Sequence, residues 1–296
     1  LIQVIRLGYA QFATQDVGRL EQYYTEIMGL SLTERAEGAA YLNVGLDHHN
    51  IVLAPATEKR GLQAIGWQLD GHMELKEVQA ELTKHGLACQ IKRDAVPGIR
   101  ELLEVTDPDG GTVHLYSEME LSAPGFAKRG IVPNKLGHIA IAAKNAQKLI
   151  AFYTELLGFA KTDWIGDVAN FMTCNTDHHT LNVVAAPKSF MHHIAFELRD
   201  ASHQHDSLDW LARHHIRTVW GPSRHTAGHN IAAYHFNPDN HFIELFTSMD
   251  IYIRELGYME PRPWHEDLPM RPKVWDSLSY WGTDYDFRLE SVGADD

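Results

Sequence analysis

The chain has 296 residues, 44% of them hydrophobic, long enough for two ordinary domains with cores of their own. Its 26 basic and 39 acidic side chains leave a net charge of −13, which speaks against nucleic acid or an anionic membrane as partner, and it has no apolar run of about 18 residues to span a bilayer. The opening LIQVIRLGYAQF lacks the basic flank and cleavage site of a signal peptide, and two cysteines, Cys89 and Cys174, make no disulfide framework, so a cytoplasmic location is expected.

In chain order the elements form one pattern written twice. LGYAQFATQDVGRLEQYYTEIMGL (7–30) aligns with LGHIAIAAKNAQKLIAFYTELLGF (136–159), AIGWQLDG (64–71) with HIAFELRD (193–200), and TDPDGGTVHLY (106–116) with FNPDNHFIELF (236–246). LDHHN (46–50) likewise matches TDHHT (176–180), and all offsets are 129 or 130 positions, so the chain is an internal duplication. In the second copy a strand is predicted at 138–143. A helix follows, with Leu149, Phe152, Tyr153, Leu156 and Leu157 at helical spacing, stopped by Gly158 as Gly29 stops its counterpart. Strands at 171–175 and 181–185 come next. The pattern then recurs at half scale: strand 194–198, helix 207–214, strands 231–236 and 242–246. The expected fold is α+β, built from four βαβββ modules in two domains, 1–120 and 136–250. A Pro- and Gly-bearing linker at 121–135 joins them, and 251–296 forms a tail with no counterpart.

The copies differ where chemistry would sit. Alternate residues of a strand share a face, which groups His138 with Ala140 and Ala142, His193 with Ala195 and Glu197, and Glu244 with Phe242 and Phe246. Two histidines and a carboxylate from three strands suit a non-haem Fe(II) centre with open coordination sites. Spacing alone leaves two alternatives open: satisfied core histidines, or Glu197 as the carboxylate. The first copy carries Tyr9, Ala64 and His114 at the matching positions, a set that cannot hold a metal tightly.

The ordered motifs LGHIAI, HHIAFEL, RHT and NPDNHFIELF, across residues 4–249, resemble the type I extradiol ring-cleaving dioxygenases of the vicinal oxygen chelate superfamily. The resemblance implies Fe(II), with Mn(II) as an alternative, held by His138, His193 and Glu244 in the C-terminal domain only. It implies His179 as the acid–base residue, His225 and Tyr234 as hydrogen-bonding partners of the bound catecholate, and a catechol plus dioxygen as substrates. His178, His48 and His49 are read as surface-turn histidines. His229, His235 and His241 are read as loop or strand-surface residues. Of the pairs 192/193 and 214/215, only His193 has a family position.

Two departures concern the substrate pocket. Family members acting on carboxylated catechols carry Arg where this chain has Trp220, and Ala140, two residues after the first ligand, is too small to hydrogen-bond. Both favour an uncharged catechol. The tail tryptophans Trp264, Trp275 and Trp281 suit either a cover over the pocket or a subunit contact, and the protein is expected to be a homo-oligomer. A glyoxalase-like metal isomerase and a metal-free ligand-sequestering protein of the same superfamily are the competing functions.

Overall fold

The computed structural model describes residues 2–123, 129–261 and 270–289; Trp264 lies outside them. Four βαβββ modules follow one another. The first runs β1 (Val4–Thr14), α1 (Val17–Gln22), β2 (Ser31–Ala36), β3 (Ala39–Asn43) and β4 (Ile51–Pro55). The second runs β5 (Gly61–Leu69), α2 (Leu75–Lys84), β6 (Cys89–Val96), β7 (Ile99–Thr106) and β8 (Thr112–Tyr116). The third is β9 (Lys135–Ala143), α3 (Ala146–Ala151), β10 (Ala160–Ile165), β11 (Ala169–Thr173) and β12 (Leu181–Ala185). The fourth is β13 (Phe190–Glu197), α4 (Ala201–Arg213), β14 (Trp220–His225), β15 (Ile231–Phe236) and β16 (Phe242–Thr247). The tail adds β17 (Ile251–Ile253), β18 (Tyr258–Glu260), β19 (Lys273–Trp275) and β20 (Ser279–Gly282).

The chain divides into two compact units, residues 1–132 with 147–159 and residues 133–146 with 160–296. The first holds an eight-stranded sheet, β2-β3-β4-β1-β5-β8-β7-β6. The second holds a ten-stranded sheet whose central strands repeat that order, β10-β11-β12-β9-β13-β16-β15-β14, with β19 and β20 added at its two edges. The tail therefore extends the sheet of its own unit at both ends. Among the described residues no helix is long and apolar enough to cross a membrane.

Local chemistry sets the helix ends. Asp16 and Asp200 cap α1 and α4 by accepting the backbone N–H of Arg19 and His203. The helices α1 and α3 run into one π-helical turn each, Tyr23–Ile27 and Phe152–Leu156, where the N–H groups of Met28 and Leu157 reach back five residues. The i, i+3, i+4 pattern of apolar residues is blind to that widening. Gly29 and Gly158 then end both segments, each at φ +77°, a conformation that favours glycine.

Candidate metal centre

The central strands β9, β13 and β16 bring three side chains to one place. Ala195 on β13 is paired with His138 on β9 and with Glu244 on β16, so those two flank a methyl group on one face of the sheet. His193 lies two residues earlier on β13, on the same face. His138 Nε2 stands 3.2 Å from His193 Nε2 and 2.9 Å from Glu244 Oε2, and His193 Nε2 is 3.1 Å from the same oxygen. All three residues are buried, and theirs is the one group with metal-ligand spacing among the described residues.

Two irregularities of the strands make this possible. Gly137 is skipped in the pairing of β9 with β13, and a Cβ there would lie 2.5 Å from the ring of Phe246. On β13 the register slips at His192, and both His192 and His193 line the cavity. Bulges commonly re-aim side chains beside active sites. His192 then holds its neighbour: its Nδ1 is 2.7 Å from Nδ1 of His193, and its Nε2 is 2.9 Å from the hydroxyl of Tyr285. This leaves His193 Nε2 as the nitrogen facing the cluster. Asn230 donates to Glu244 Oε1 at 3.0 Å, leaving Oε2 to face the histidines.

Electrostatics favour ligands ready for a cation. Burial works to raise the Glu244 pKa, but His138 and His193 override it and hold the carboxyl well below the usual carboxylate range. Burial depresses His193 against the pull of Glu244. Burial also pushes His192 down to about 3, with His193 adding to the effect. Neutral imidazoles and an ionised carboxylate are the forms that bind metal. The donor set, two nitrogens and one oxygen with a cavity beside them, fits a divalent transition metal that keeps open positions.

A cavity of about 450 Å³ adjoins the three residues. It is also lined by His179, His225 and Tyr234, so the six residues assigned from the sequence as ligands or catalytic groups face one space. His179 packs against His138 at a tilt, with ring centroids 4.3 Å apart, and burial pushes its pKa well below the ordinary histidine value. His225 Nε2 is 2.8 Å from the Tyr234 hydroxyl. Burial lowers the His225 pKa to about 4 and raises that of Tyr234 well above the tyrosine norm. Trp220 forms part of the wall, stacked on Tyr234 at 4.4 Å and 18°, its indole N–H donating to the Thr283 carbonyl at 2.9 Å.

Several expectations change. Ala140 is fully buried and is not in the cavity wall; Asn182, its partner on β12, supplies a wall residue instead. Glu197 sits with Lys135, 3.7 Å away, and does not join the cluster. The expected surface histidines of both DHH turns are interior: His178 and His49 are fully buried and His48 is 6% exposed. Each pair is tied Nδ1 to Nδ1 at 3.0 Å, with the first ring bonded to an acid, Asp163 for His178 and Glu34 for His48. His229, His235 and His241 are buried too, and His229 lies 2.7 Å from Asp250. Sequence reasoning also missed Asn230, Asn182 and His192, which have no counterpart motif. The tail contributes Trp275, Asp276, Leu278, Tyr285 and Phe287 to the cavity wall, while Trp281 is half exposed.

A family model described as the Glyoxalase/Bleomycin resistance protein/Dioxygenase superfamily matches residues 6–115 and 135–245. The chain is 23% identical over 302 residues to a metapyrocatechase of Geobacillus stearothermophilus, covering 95% of this chain and 92% of that protein. It is 28% identical over 260 residues to a biphenyl-2,3-diol 1,2-dioxygenase of Pseudomonas sp. strain KKS102, covering 80% and 87%. The solved homoprotocatechuate 2,3-dioxygenase of Brevibacterium fuscum, in complex with 3,4-dihydroxyphenylacetate, superposes with a TM-score of 0.83 over 98% of this chain and 92% of that one, at 21% identity. At that identity the likeness shows the fold alone.

Proposed function

The chain belongs to the Glyoxalase/Bleomycin resistance protein/Dioxygenase superfamily, and on that premise we propose that it is an Fe(II)-dependent extradiol dioxygenase of the cytoplasm that opens the ring of an uncharged catechol with dioxygen, giving a 2-hydroxymuconic semialdehyde or its analogue. The observation that carries this reading is the meeting of His138, His193 and Glu244 at the wall of a cavity that they leave open. The relatives named as metapyrocatechase and biphenyl-diol dioxygenase support the choice of reaction within the superfamily.

His138, His193 and Glu244 would hold iron(II), which would supply open coordination for a chelating diol and dioxygen and a redox level suited to both. The chain's own residues do the rest. His193 and Glu244 are held in ligating orientation by His192 and Asn230. His179, neutral because it is buried, takes a proton from the bound diol and returns it later. Tyr234, linked to His225, keeps its proton and donates it as a hydrogen bond to the anionic oxygen of the substrate.

The wall also speaks to the substrate. Ile165, Phe171, Val184, Trp220, Trp275 and Leu278 make it apolar, and no lysine or arginine lines it among the described residues. Arg224, a candidate partner for a substrate carboxylate, instead donates to the His229 carbonyl and lies over Trp281 at 6.0 Å. An anionic ring substituent would find Asp276 and no cation. Anaerobic reconstitution with Fe(II), Mn(II) or Zn(II) tests the redox requirement. Fe(II) is expected to support oxygen uptake on adding 3-methylcatechol and Zn(II) to support none. Equal oxygen-independent turnover with Zn(II) would instead select a glyoxalase-like isomerase.

A further inference from the structure

Behind His179 lies a buried chain of hydrogen bonds. His178 Nδ1 is 3.0 Å from His179 Nδ1, and His178 Nε2 is 3.0 Å from Asp163 Oδ2. Asp163 is 1% exposed and accepts two further bonds from the tail, the backbone N–H of Lys273 at 2.9 Å on Oδ1 and the indole N–H of Trp275 at 2.8 Å on Oδ2. Gly228 packs against the two rings, and a Cβ there would lie 2.8 Å from His178 Nδ1. We propose that Asp163 and His178 are positioning residues that fix the tautomer of His179, presenting a bare Nε2 to the cavity. The proposal deepens the ring-cleavage reading and rests on it for its catalytic consequence.

Donors and acceptors along the chain fix where its hydrogens lie. A backbone amide and an indole can only donate, so both oxygens of Asp163 are engaged as acceptors. His178 must then donate Nε2–H to Asp163, and a neutral His178 is left with a lone pair on Nδ1. The neighbouring Nδ1 of His179 must therefore carry the hydrogen that bridges the rings. Its other nitrogen is then bare and able to accept a proton, on a ring that lines the cavity. Without this chain both tautomers of His179 are accessible, and the one protonated on Nε2 cannot act as the initial acceptor.

The N-terminal copy shows what is specific to the second. Glu34, His48 and His49 repeat the two 3.0 Å spacings, yet the Glu34 side chain is 43% exposed where Asp163 is buried. The turn is thus inherited, while the copy with the ligand cluster buries its acid and gives it two donors from the tail.

The test has two arms, both on the full-length protein. Long-range ¹H–¹⁵N spectra of the metal-free protein labelled on histidine read protonated and bare ring nitrogens separately, with His178→Asn and His179→Asn assigning the signals. His179 is expected with Nδ1 protonated and Nε2 bare, and His178 with the reverse; a protonated Nε2 on His179 overturns the proposal. In the second arm, His178→Phe removes the acceptor while His178→Asn keeps an oxygen near the place of Nδ1. His178→Phe is expected to lower kcat about 10–100-fold, less than loss of the acid–base residue itself, at unchanged KM and iron content. His178→Asn is expected to recover most of that loss. Equal kcat in both variants and wild type, or equal losses accompanied by iron release, overturns it. If no catechol drives oxygen uptake at all, the ring-cleavage reading fails, and the spectra still decide the tautomer.

Discussion

The two units carry the same fold around opposite centres. At the position of His138 the N-terminal unit has Tyr9, whose hydroxyl is 2.6 Å from His114 Nδ1, the residue standing where Glu244 does. The Tyr9 ring is fully buried, packed against His49 and Tyr116 at centroid distances of 4.7 and 5.9 Å. It fills the space so closely that a Cβ on Gly66 would lie 2.1 Å from it, whereas the equivalent residue in the C-terminal unit, Ala195, keeps its methyl. At the place of His193 stands Ala64. One hydroxyl and one imidazole satisfy each other there. In the C-terminal unit two imidazole nitrogens and a carboxylate converge instead, and a shared cation is the natural complement. Duplication supplied the frame twice, and a few substitutions on the central strands separate a packed core from a ligand set.

The largest way to break this comparison is to remove a ligand. His138→Ala, His193→Ala and Glu244→Ala are each expected to abolish iron retention and turnover, while Tyr9→Phe and His114→Ala leave about one iron per chain, measured by metal analysis after desalting. Iron retention that follows Tyr9 or His114 would invert the account. Next, His179→Asn should slow turnover by about 10²–10⁴-fold with iron still bound, the usual range for a positioned acid or base. The matching His49→Asn in the other unit should leave kcat as in wild type, and equal damage at both positions would remove the asymmetry.

A smaller effect concerns the ring substituent. Burying an unpaired carboxylate beside Trp220 costs several kcal/mol, so kcat/KM for catechol or alkylcatechols should exceed that for protocatechuate by roughly 10³-fold at about 1.4 kcal/mol per factor of ten. Trp220→Arg should narrow the gap, and a wild-type preference for protocatechuate would contradict the reading of the wall. The buried histidines also make stability depend on pH. Burial places His225 at about 4 and His49, His192 and His235 at about 3 in the folded protein. The unfolded chain, with histidines near 6.5, binds more protons in between, so stability is lost as pH falls from about 6.5 toward 4, by up to about 1.4 kcal/mol per pH unit for each such group. Denaturant titrations of metal-free protein at pH 7 and pH 5 measure it, and greater stability at pH 5 would contradict these burials.

The four modules were legible in the sequence because the duplication repeats them, and periodicity put His138, His193 and Glu244 on strand faces with Tyr9, Ala64 and His114 as their counterparts; spacing left Glu197 open as the carboxylate, and the family resemblance chose Glu244. The burial of the DHH turns was not. Asp-His-His reads as a polar turn, and the acid that makes His178 an interior residue lies fifteen positions upstream on β10, fastened by a tail that has no repeat. His192 has no family position, and strict alternation would put it on the opposite face from His193; the bulge in β13 turns both toward the cavity. Ala140 failed as a wall residue for the complementary reason: the neighbouring strand β12, not β9, offers its side chain there.

The central claim is that the C-terminal cluster turns dioxygen on a chelated diol. Turnover of 3-methylcatechol by the iron-loaded protein under ¹⁸O₂, followed by mass spectrometry of the ring-opened product, tests it most directly. The account predicts one dioxygen consumed per catechol, with both labelled atoms in the product. A product formed without label, or at the same rate in the absence of oxygen, would contradict it.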